Sequence, residues 1–226
     1  MTTTARDEIL ARVRNALHDV PAQARNVADT SSIPRDYLIT HIDESPQAMT
    51  DLLARNLADY RATVHHCTDA ETELPPLIAR LLAEHGTESV VTPPGLPDTW
   101  LSQCTHLAHK ADTDAELLDA RALDHIDSVI TGCALAIAET GTIVLDGSPD
   151  QGRRALTLVP DHHVCIIRTD RIVASVARAL PRLDPRRPLT WISGPSATSD
   201  IEFSRVEGVH GPRTLDAVIV EVQAHV

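Results

Sequence analysis

Apolar residues recur at helical spacing near the start of the chain. Ile9, Val13 and Leu17 lie at positions i, i+4 and i+8, which share one face of a helix. Thr4 precedes them and is soon followed by two acidic residues, a pattern typical of a helix N-terminus. The spacing therefore predicts an amphipathic helix over residues 4–18. Residues 19–46 contain three prolines and no clean period, so we expect a connecting arm there.

From residue 46 onward, short runs of branched apolar residues alternate with amphipathic stretches. The pattern predicts strands over residues 62–67, 89–92, 127–130, 134–139, 142–146, 164–168, 189–193 and 216–222. It predicts helices over residues 48–60, 75–85, 114–120 and 170–180. Such alternation is typical of a three-layer α/β/α domain with a mostly parallel sheet. We therefore expect an N-terminal helix and arm over residues 1–45 and an α/β domain over residues 46–226.

Charge and composition exclude several classes of protein. The 226 residues include 20 basic and 32 acidic side chains, a formal net charge of −12, and both halves of the chain are acidic. Aromatic residues make up only 2% of the chain. An acidic chain with few aromatic side chains lacks both the electrostatic and the stacking features of a nucleic-acid-binding surface.

The chain shows no signal for a membrane span, an export signal or a metal site. Its longest purely apolar run, Cys133–Ala138, is far shorter than the roughly 20 residues that cross a bilayer. Acidic residues stand near the N-terminus where a signal peptide carries positive charge, so we expect a cytoplasmic protein. Four scattered cysteines form no CxxC pair, so we expect no metal site and no cofactor in this chain.

The first candidate site is the break between two apolar runs at Glu139, Thr140, Gly141 and Thr142. A glycine at such a break permits a sharp turn or the close approach of a ligand. A carboxylate placed there can act as a nucleophile or a base, so Glu139 is the candidate catalytic residue. The alternative is a connecting turn with a solvated glutamate.

The second candidate site is the loop that follows the predicted strand 189–193. Its candidate ligand-binding residues are Gly194, Pro195, Ser196, Thr198 and Asp200. Ligands of open α/β sheets bind beyond the carboxyl ends of strands, where hydroxyl and backbone N–H groups can hold a phosphate or carboxylate. The alternative is a loop whose Ser and Asp side chains bond its own backbone.

Arg153 is the third candidate, because a guanidinium after a glycine can clamp an anion with two hydrogen bonds. An ordinary surface ion pair is the alternative. Since strand ends in a parallel sheet share an edge, we expect residues 139–142, Arg153 and residues 194–200 to converge on one cleft.

Several separated motifs, together and in this order, resemble the LUD-domain family of lactate-utilisation protein C (LutC/YkgG-like) proteins. They are TGCALAIAETGT at residues 131–142, QGRR at 151–154 leading to Pro160 and His163, GPS at 194–196, DIE at 200–202 and GVHGPR at 208–213. The N-terminal helix also resembles the opening of that family, so the resemblance covers essentially the whole chain. His163 joins the candidate ligand-binding residues.

The resemblance implies a fold similar to that of coenzyme A transferases and ribose-5-phosphate isomerases, the NagB/RpiA/CoA transferase-like fold. It implies a role in oxidising L-lactate to pyruvate beside two partner proteins, with iron–sulfur clusters in the partners only. The turn at Glu139 is also similar to the Ser-Glu-Asn-Gly turn that carries the catalytic Glu of coenzyme A transferases, with Thr140 in place of Asn.

Four functions remain open at this point. The chain is a lactate-utilisation subunit that binds a small carboxylate or phosphate, a CoA transferase-like enzyme that uses Glu139, a sugar-phosphate isomerase, or a non-catalytic scaffold. The isomerase has the least support, because the acidic motif Asp-Gly-Ala-Asp-Glu is missing. Fold alone does not separate the others.

Overall fold

The computed structural model describes residues 4–18, 37–113, 116–198, 206–207 and 211–222, with only the backbone described at 197–198 and 206–207. The chain divides into two units, residues 1–38 and residues 39–226. In the first unit, helix α1 spans Ala5–Ala16, and the Thr4 side chain accepts a hydrogen bond from the Asp7 backbone N–H. The predicted N-terminal helix and its cap are therefore confirmed.

The second unit contains twelve described strands. They are β1 Thr63–Cys67, β2 Ser89–Thr92, β3 Ala108–Ala111, β4 Ser128–Thr131, β5 Leu135–Ile137, β6 Thr142–Leu145, β7 His162–Arg168, β8 Ile172–Val173, β9 Thr190–Ile192, β10 Ala197–Thr198, β11 Val206–Glu207 and β12 Thr214–Val220. Six of them form a wholly parallel sheet in the order β1-β12-β7-β4-β2-β3.

The helices of this unit are short. They are α2 Pro46–Asp59, α3 Leu74–Glu84, α4 Ala120–Asp124 and α5 Val176–Ala179, with 3₁₀ turns at Asp98–Leu101, Arg154–Thr157, Thr169–Arg171 and Leu180–Arg182. None of the helices described is long and apolar enough to cross a membrane. Helices pack on both sides of the strands, which confirms the predicted α/β class.

A second, mixed sheet is the main feature that the apolar pattern did not predict. Its order is β8-β5-β6-β9, and both the β5–β6 and β6–β9 pairs are antiparallel. The predicted helix over residues 170–180 is wrong in its first part, because Ile172 and Val173 form β8 and pair with β5, whereas residues 176–179 do form helix α5. Ile172 and Val173 are both β-branched, and such side chains favour a strand over a helix.

The largest core lies where the parallel sheet, the mixed sheet and α2 meet. Leu53 and Leu57 of α2 pack there with Ile143 of β6 and with Cys165 and Ile167 of β7. A second core fills the other face of the parallel sheet, under α3. Both cores consist mainly of aliphatic side chains, as a chain with so few aromatic residues requires.

A buried polar network crosses the amino edge of the parallel sheet. Asp216 accepts hydrogen bonds from His162 Nε2 and His65 Nε2, each at 2.8 Å. Ser128 Oγ lies 2.8 Å from His162 Nδ1 and 2.6 Å from Thr87 Oγ1. Burial raises the pKa of Asp216, but the hydrogen bonds from the two histidines outweigh that cost and lower the pKa to about 2. Asp216 is therefore the ionised centre of the network at neutral pH.

Candidate anion-binding cleft

Two adjoining clefts open where the mixed sheet meets the parallel sheet. The smaller has a volume of about 280 Å³ and is lined by His163, Trp191 and residues 193–196, among others. The larger has a volume of about 550 Å³ and is lined by residues 147–149 and 151–154 and by Arg187. Arg154, Thr157 and Thr190 line both clefts, so we treat the two as one site.

Arg154 is the cation at the centre of this site. It begins the 3₁₀ turn Arg154–Thr157, which lies within the connection between β6 and β7, and it is exposed. Within the described part of the chain, no carboxylate or other hydrogen-bond partner engages its guanidinium. Arg187, in contrast, pairs with Asp146 at 3.2 Å. Among the described residues, Arg154 therefore offers a planar guanidinium that is available to an anion in an otherwise acidic protein.

Arg153, the arginine selected from the sequence, lines the larger cleft but is already engaged. Its Nε and Nη2 donate to the Asp112 carboxylate at 2.6 and 2.8 Å, and Nη2 also donates to the Leu118 carbonyl. Asp112 is almost fully buried, and burial raises its pKa, but the hydrogen bonds from Arg153 and from the Leu118 backbone N–H, together with the Arg153 charge, outweigh that and hold the pKa below its usual range. Arg153 thus fixes the segment between β3 and α4.

Replacing Arg153 by alanine is expected to lower the free energy of unfolding by about 2 kcal/mol, because the buried Asp112 carboxylate loses its partner. The figure lies below that for a fully buried pair because the Arg153 side chain is 35% exposed. Urea unfolding at pH 7 measures the effect. Arg182→Ala is the control, since Arg182 is exposed and has no partner among the described residues. Equal stability of the two variants would contradict the assigned role.

The turn at Glu139 is held by the chain itself. The Glu139 carboxylate accepts from the His41 backbone N–H at 2.6 Å and from Thr40 Oγ1 at 3.3 Å. Asn56 of α2 donates to the Ala138 and Glu139 carbonyls at 2.8 and 3.1 Å. Glu139 lines neither cleft. Its geometry is that of a structural anchor, and its catalytic role stays a prediction.

Thr140 and Thr142, the other candidate side chains of this turn, form hydrogen bonds that reach the residue before the second candidate loop. Thr142 Oγ1 lies 2.7 Å from Thr140 Oγ1 and 2.8 Å from Ser193 Oγ, the residue before Gly194. The antiparallel β6–β9 pairing explains this contact, because it places the start of β6 beside the end of β9. The start of β6 therefore lies beside the residue before Gly194, but none of residues 139–142 lines either cleft, so the predicted convergence of this turn on one cleft with Arg153 and residues 194–200 is not what the described residues form.

The second candidate loop contributes part of its length to the smaller cleft. Gly194, Pro195 and Ser196 line it, and the Ser196 backbone N–H donates to the Pro212 carbonyl at 2.8 Å. The Thr198 backbone lies in β10, which pairs with β11. Asp200 lies outside the described residues. Gly194 has φ +85°, and a Cβ there would collide with the Tyr60 carbonyl, so this glycine also permits close packing.

His163 lines the smaller cleft from β7 and is almost completely buried. Its Nε2 lies 2.8 Å from Thr131 Oγ1 on the neighbouring strand β4. The structure therefore brings together His163, residues 194–196 and, one position beyond the predicted arginine, Arg154. Because Arg153 and Arg154 are adjacent and of the same type, the sequence does not show which of them pairs with a buried aspartate. Sequence analysis therefore did not identify Arg154 as the cation of the cleft.

The fold and the cleft define an α/β protein that combines one parallel sheet with one mixed sheet. Comparison with known proteins places it in a family. Residues 50–220 match the family model of the LUD domain. The chain belongs to the LUD-domain family.

Similar proteins come from several bacteria. The chain is 46% identical over 168 residues to lactate utilization protein C of Deinococcus radiodurans, covering 73% of this chain and 76% of that protein. It is 37% identical over 93 residues to the uncharacterized protein YkgG of Escherichia coli, covering 38% and 40% of the two chains. The crystal structure of a DUF162 family protein from Deinococcus radiodurans superposes with a TM-score of 0.64 and 37% identity, covering 79% of this chain and 99% of that one.

Proposed function

We propose that this protein is a lactate-utilisation subunit that binds a small anionic ligand, a carboxylate or a phosphate, at Arg154. Several relatives carry the name lactate utilization protein C, and one of them is similar over about three quarters of the chain. The single structural observation that supports ligand binding is the Arg154 guanidinium, which no other described residue engages, in a two-part cleft. Iron–sulfur proteins act as its partners in the oxidation of L-lactate to pyruvate and hold the clusters.

Arg154 supplies the charge that the proposed ligand needs. A carboxylate or phosphate accepts two parallel hydrogen bonds from a guanidinium, and such charged bonds contribute roughly 1.5–3 kcal/mol each. Trp191 is 40% exposed and lines the same cleft, so it offers an apolar surface to the uncharged part of the ligand. The coenzyme A transferase function gains no support, because the Glu139 carboxylate holds residues 40–41.

Arg154→Gln is expected to weaken binding of L-lactate, pyruvate or inorganic phosphate by at least about tenfold, since the neutral amide supplies neither of the two charged hydrogen bonds. Isothermal titration of the purified full chain with each anion measures this. Arg182→Gln is the matched control, because it removes the same charge from an exposed position that lines neither cleft. Equal losses in the two variants, or no binding of any of the three anions to the parent protein, would overturn the proposed ligand site.

Growth tests the proposed role in the cell. A bacterium deleted for its own lactate utilization protein C receives the parent gene, Arg154→Gln or Arg182→Gln, with L-lactate as sole carbon source. We expect growth with the parent and with Arg182→Gln, and slow growth with Arg154→Gln. Failure of the parent gene to restore growth, with the protein present at normal levels, would contradict the role in lactate utilisation.

A further inference from the structure

The site around Arg154 is larger than a small anion requires. Its two clefts have volumes of about 280 and 550 Å³. Pockets of about 300–1,000 Å³ typically hold ligands of the size of a drug or a cofactor. L-lactate, pyruvate or inorganic phosphate has only a handful of heavy atoms and fills a small part of this space. The site therefore has room for a longer ligand that carries the anionic group.

The charge of the cleft lining is the reverse of the charge of the whole protein. Three arginines and one carboxylate line the two clefts, namely Arg153, Arg154, Arg187 and Asp112, whereas the chain has a net charge of −12. Asp112 engages Arg153. Arg187 contacts Asp146 through Nη1 alone, at 3.2 Å, and its side chain is 39% exposed. Its other N–H groups are engaged by no described residue, so they can serve a second anionic group beside the one at Arg154.

One segment of the chain forms a wall of both clefts and sets the order of their chemical groups. Arg187 lines only the larger cleft, Thr190 lines both, and Trp191 lines only the smaller. At about 3.3 Å per extended residue, Arg187 and Trp191 are at most about 13 Å apart along this segment. Because Arg154 lines both clefts, the order along the site is an aromatic ring, a guanidinium and a second guanidinium.

Trp191 gives the smaller cleft a flat aromatic surface. It lies on β9, the edge strand of the mixed sheet, and is 40% exposed. Trp100, the other tryptophan of the chain, is partly buried against the core under α3. An exposed indole ring binds planar rings by stacking, and every nucleobase has a face that can stack in this way. The smaller cleft therefore suits a planar base.

We propose that the ligand of this site is a nucleoside diphosphate. Its base stacks on Trp191, its first phosphate binds the Arg154 guanidinium, and its second phosphate extends towards Arg187. A phosphate accepts paired hydrogen bonds from a guanidinium. The chain contains neither GxGxxG nor GxxxxGK[ST], so arginine side chains take the place of a glycine-rich phosphate loop. This inference rests on the anion site proposed at Arg154 and names the class of its ligand.

Isothermal titration of the full-length protein with ADP, inorganic pyrophosphate and adenosine tests the proposal. ADP carries both a base and a diphosphate, whereas pyrophosphate lacks the base and adenosine lacks the phosphates. We expect ADP to bind at least about tenfold more tightly than either of the other two, because only ADP engages the indole and the guanidiniums together. ADP that binds no more tightly than pyrophosphate would overturn the proposal.

Trp191→Leu separates the contribution of the base from that of the phosphates. This variant should bind ADP at least about tenfold more weakly than the parent protein and should bind pyrophosphate equally well. Trp100→Phe is the control and should bind ADP as the parent does, because Trp100 lines neither cleft. Circular dichroism checks that each variant is folded. Equal losses of ADP and pyrophosphate affinity in Trp191→Leu would show that Trp191 has only a structural role, and the proposal would be wrong.

Fluorescence gives a second measurement that does not depend on how Trp191→Leu folds. In Trp100→Phe, Trp191 is the sole tryptophan, so ADP should quench its emission and pyrophosphate should not. ADP binding without quenching would contradict stacking on Trp191.

The same titrations separate this inference from the proposed function. If inorganic phosphate binds through Arg154 but ADP binds no more tightly than pyrophosphate, the nucleotide inference alone is wrong. If the parent protein binds none of these anions, the anion site is wrong and the inference is wrong with it.

Discussion

Replacing Gly141 by valine is expected to lower the free energy of unfolding by about 3–5 kcal/mol. Gly141 has φ +56°, in the left-handed region that β-branched side chains avoid at a cost of about 1–3 kcal/mol. A Cβ at this position would also lie 2.8 Å from the backbone carbonyl carbon and the Cβ of Asn56. Because the Asn56 side chain holds the Ala138 and Glu139 carbonyls, α2 cannot retreat without breaking those hydrogen bonds.

Gly86 provides the matched control for this substitution. It has φ +70°, and a Cβ there would meet no atom within 4 Å. Gly86→Val therefore reports the backbone strain alone, whereas Gly141→Val reports strain and collision together. Urea unfolding of both variants gives the difference, which we expect to be about 2 kcal/mol in favour of Gly86→Val. If Gly141→Val were as stable as Gly86→Val, helix α2 would not be packed on this turn as described.

The sequence indicates that Gly141 does not tolerate substitution, but it does not show which part of the protein lies against this glycine. An apolar run interrupted by glycine predicts either a tight turn or the approach of a ligand, and periodicity cannot choose between them. The structure shows that helix α2 is what approaches this glycine closely. Asn56 of α2, which donates to the Ala138 carbonyl, lies 82 residues before Ala138 in the chain. A contact between residues so distant in the chain leaves no local signal in either segment.

The α/β class was predictable because its evidence is local. Alternating strands and helices follow from short runs such as Ser89–Thr92 and from the amphipathic α3, each defined within a dozen residues. The division into two sheets was not predictable, because β5 and β6 read as apolar strands in the same way as β4 does. Which sheet an apolar strand joins depends on its pairing partners, and those pairings are contacts across the fold.

The candidate site was predicted in part for the same reason. The loop at residues 194–196 follows a strand, and His163 lies in a motif of the family, so both were found; both line the smaller cleft. Arg153 and Arg154 are adjacent and of the same type. The position of Asp112, 41 residues before Arg153, decides which of the two guanidiniums is engaged among the described residues. Buried partners are the information that a single sequence lacks.

Asp216→Ala is expected to be the most destabilising change at the opposite, amino edge of the parallel sheet. The Asp216 carboxylate accepts from His162, which is fully buried, and from His65. Its removal leaves the buried His162 N–H and the partly buried His65 N–H without an acceptor, which costs about 3–5 kcal/mol. Asp161→Ala is the matched control, because Asp161 pairs with Arg213 in an exposed salt bridge whose loss costs at most about 1 kcal/mol.

The pH dependence of the stability lost in Asp216→Ala tests whether the ionised Asp216 carboxylate is the cause of that loss. The pKa of Asp216 is about 2 in the folded protein and 3.8 for an unperturbed aspartate. A group whose folded pKa is lowered stabilises the protein above its unfolded pKa, and that contribution disappears as pH falls through the folded value. The stability gap between the parent protein and Asp216→Ala should therefore narrow as pH falls below about 4. Urea unfolding at pH 5, 4.5, 3.5 and 3 measures the gap, and a gap that fails to narrow between pH 4.5 and 3 would show that Asp216 is not the anionic centre of the network.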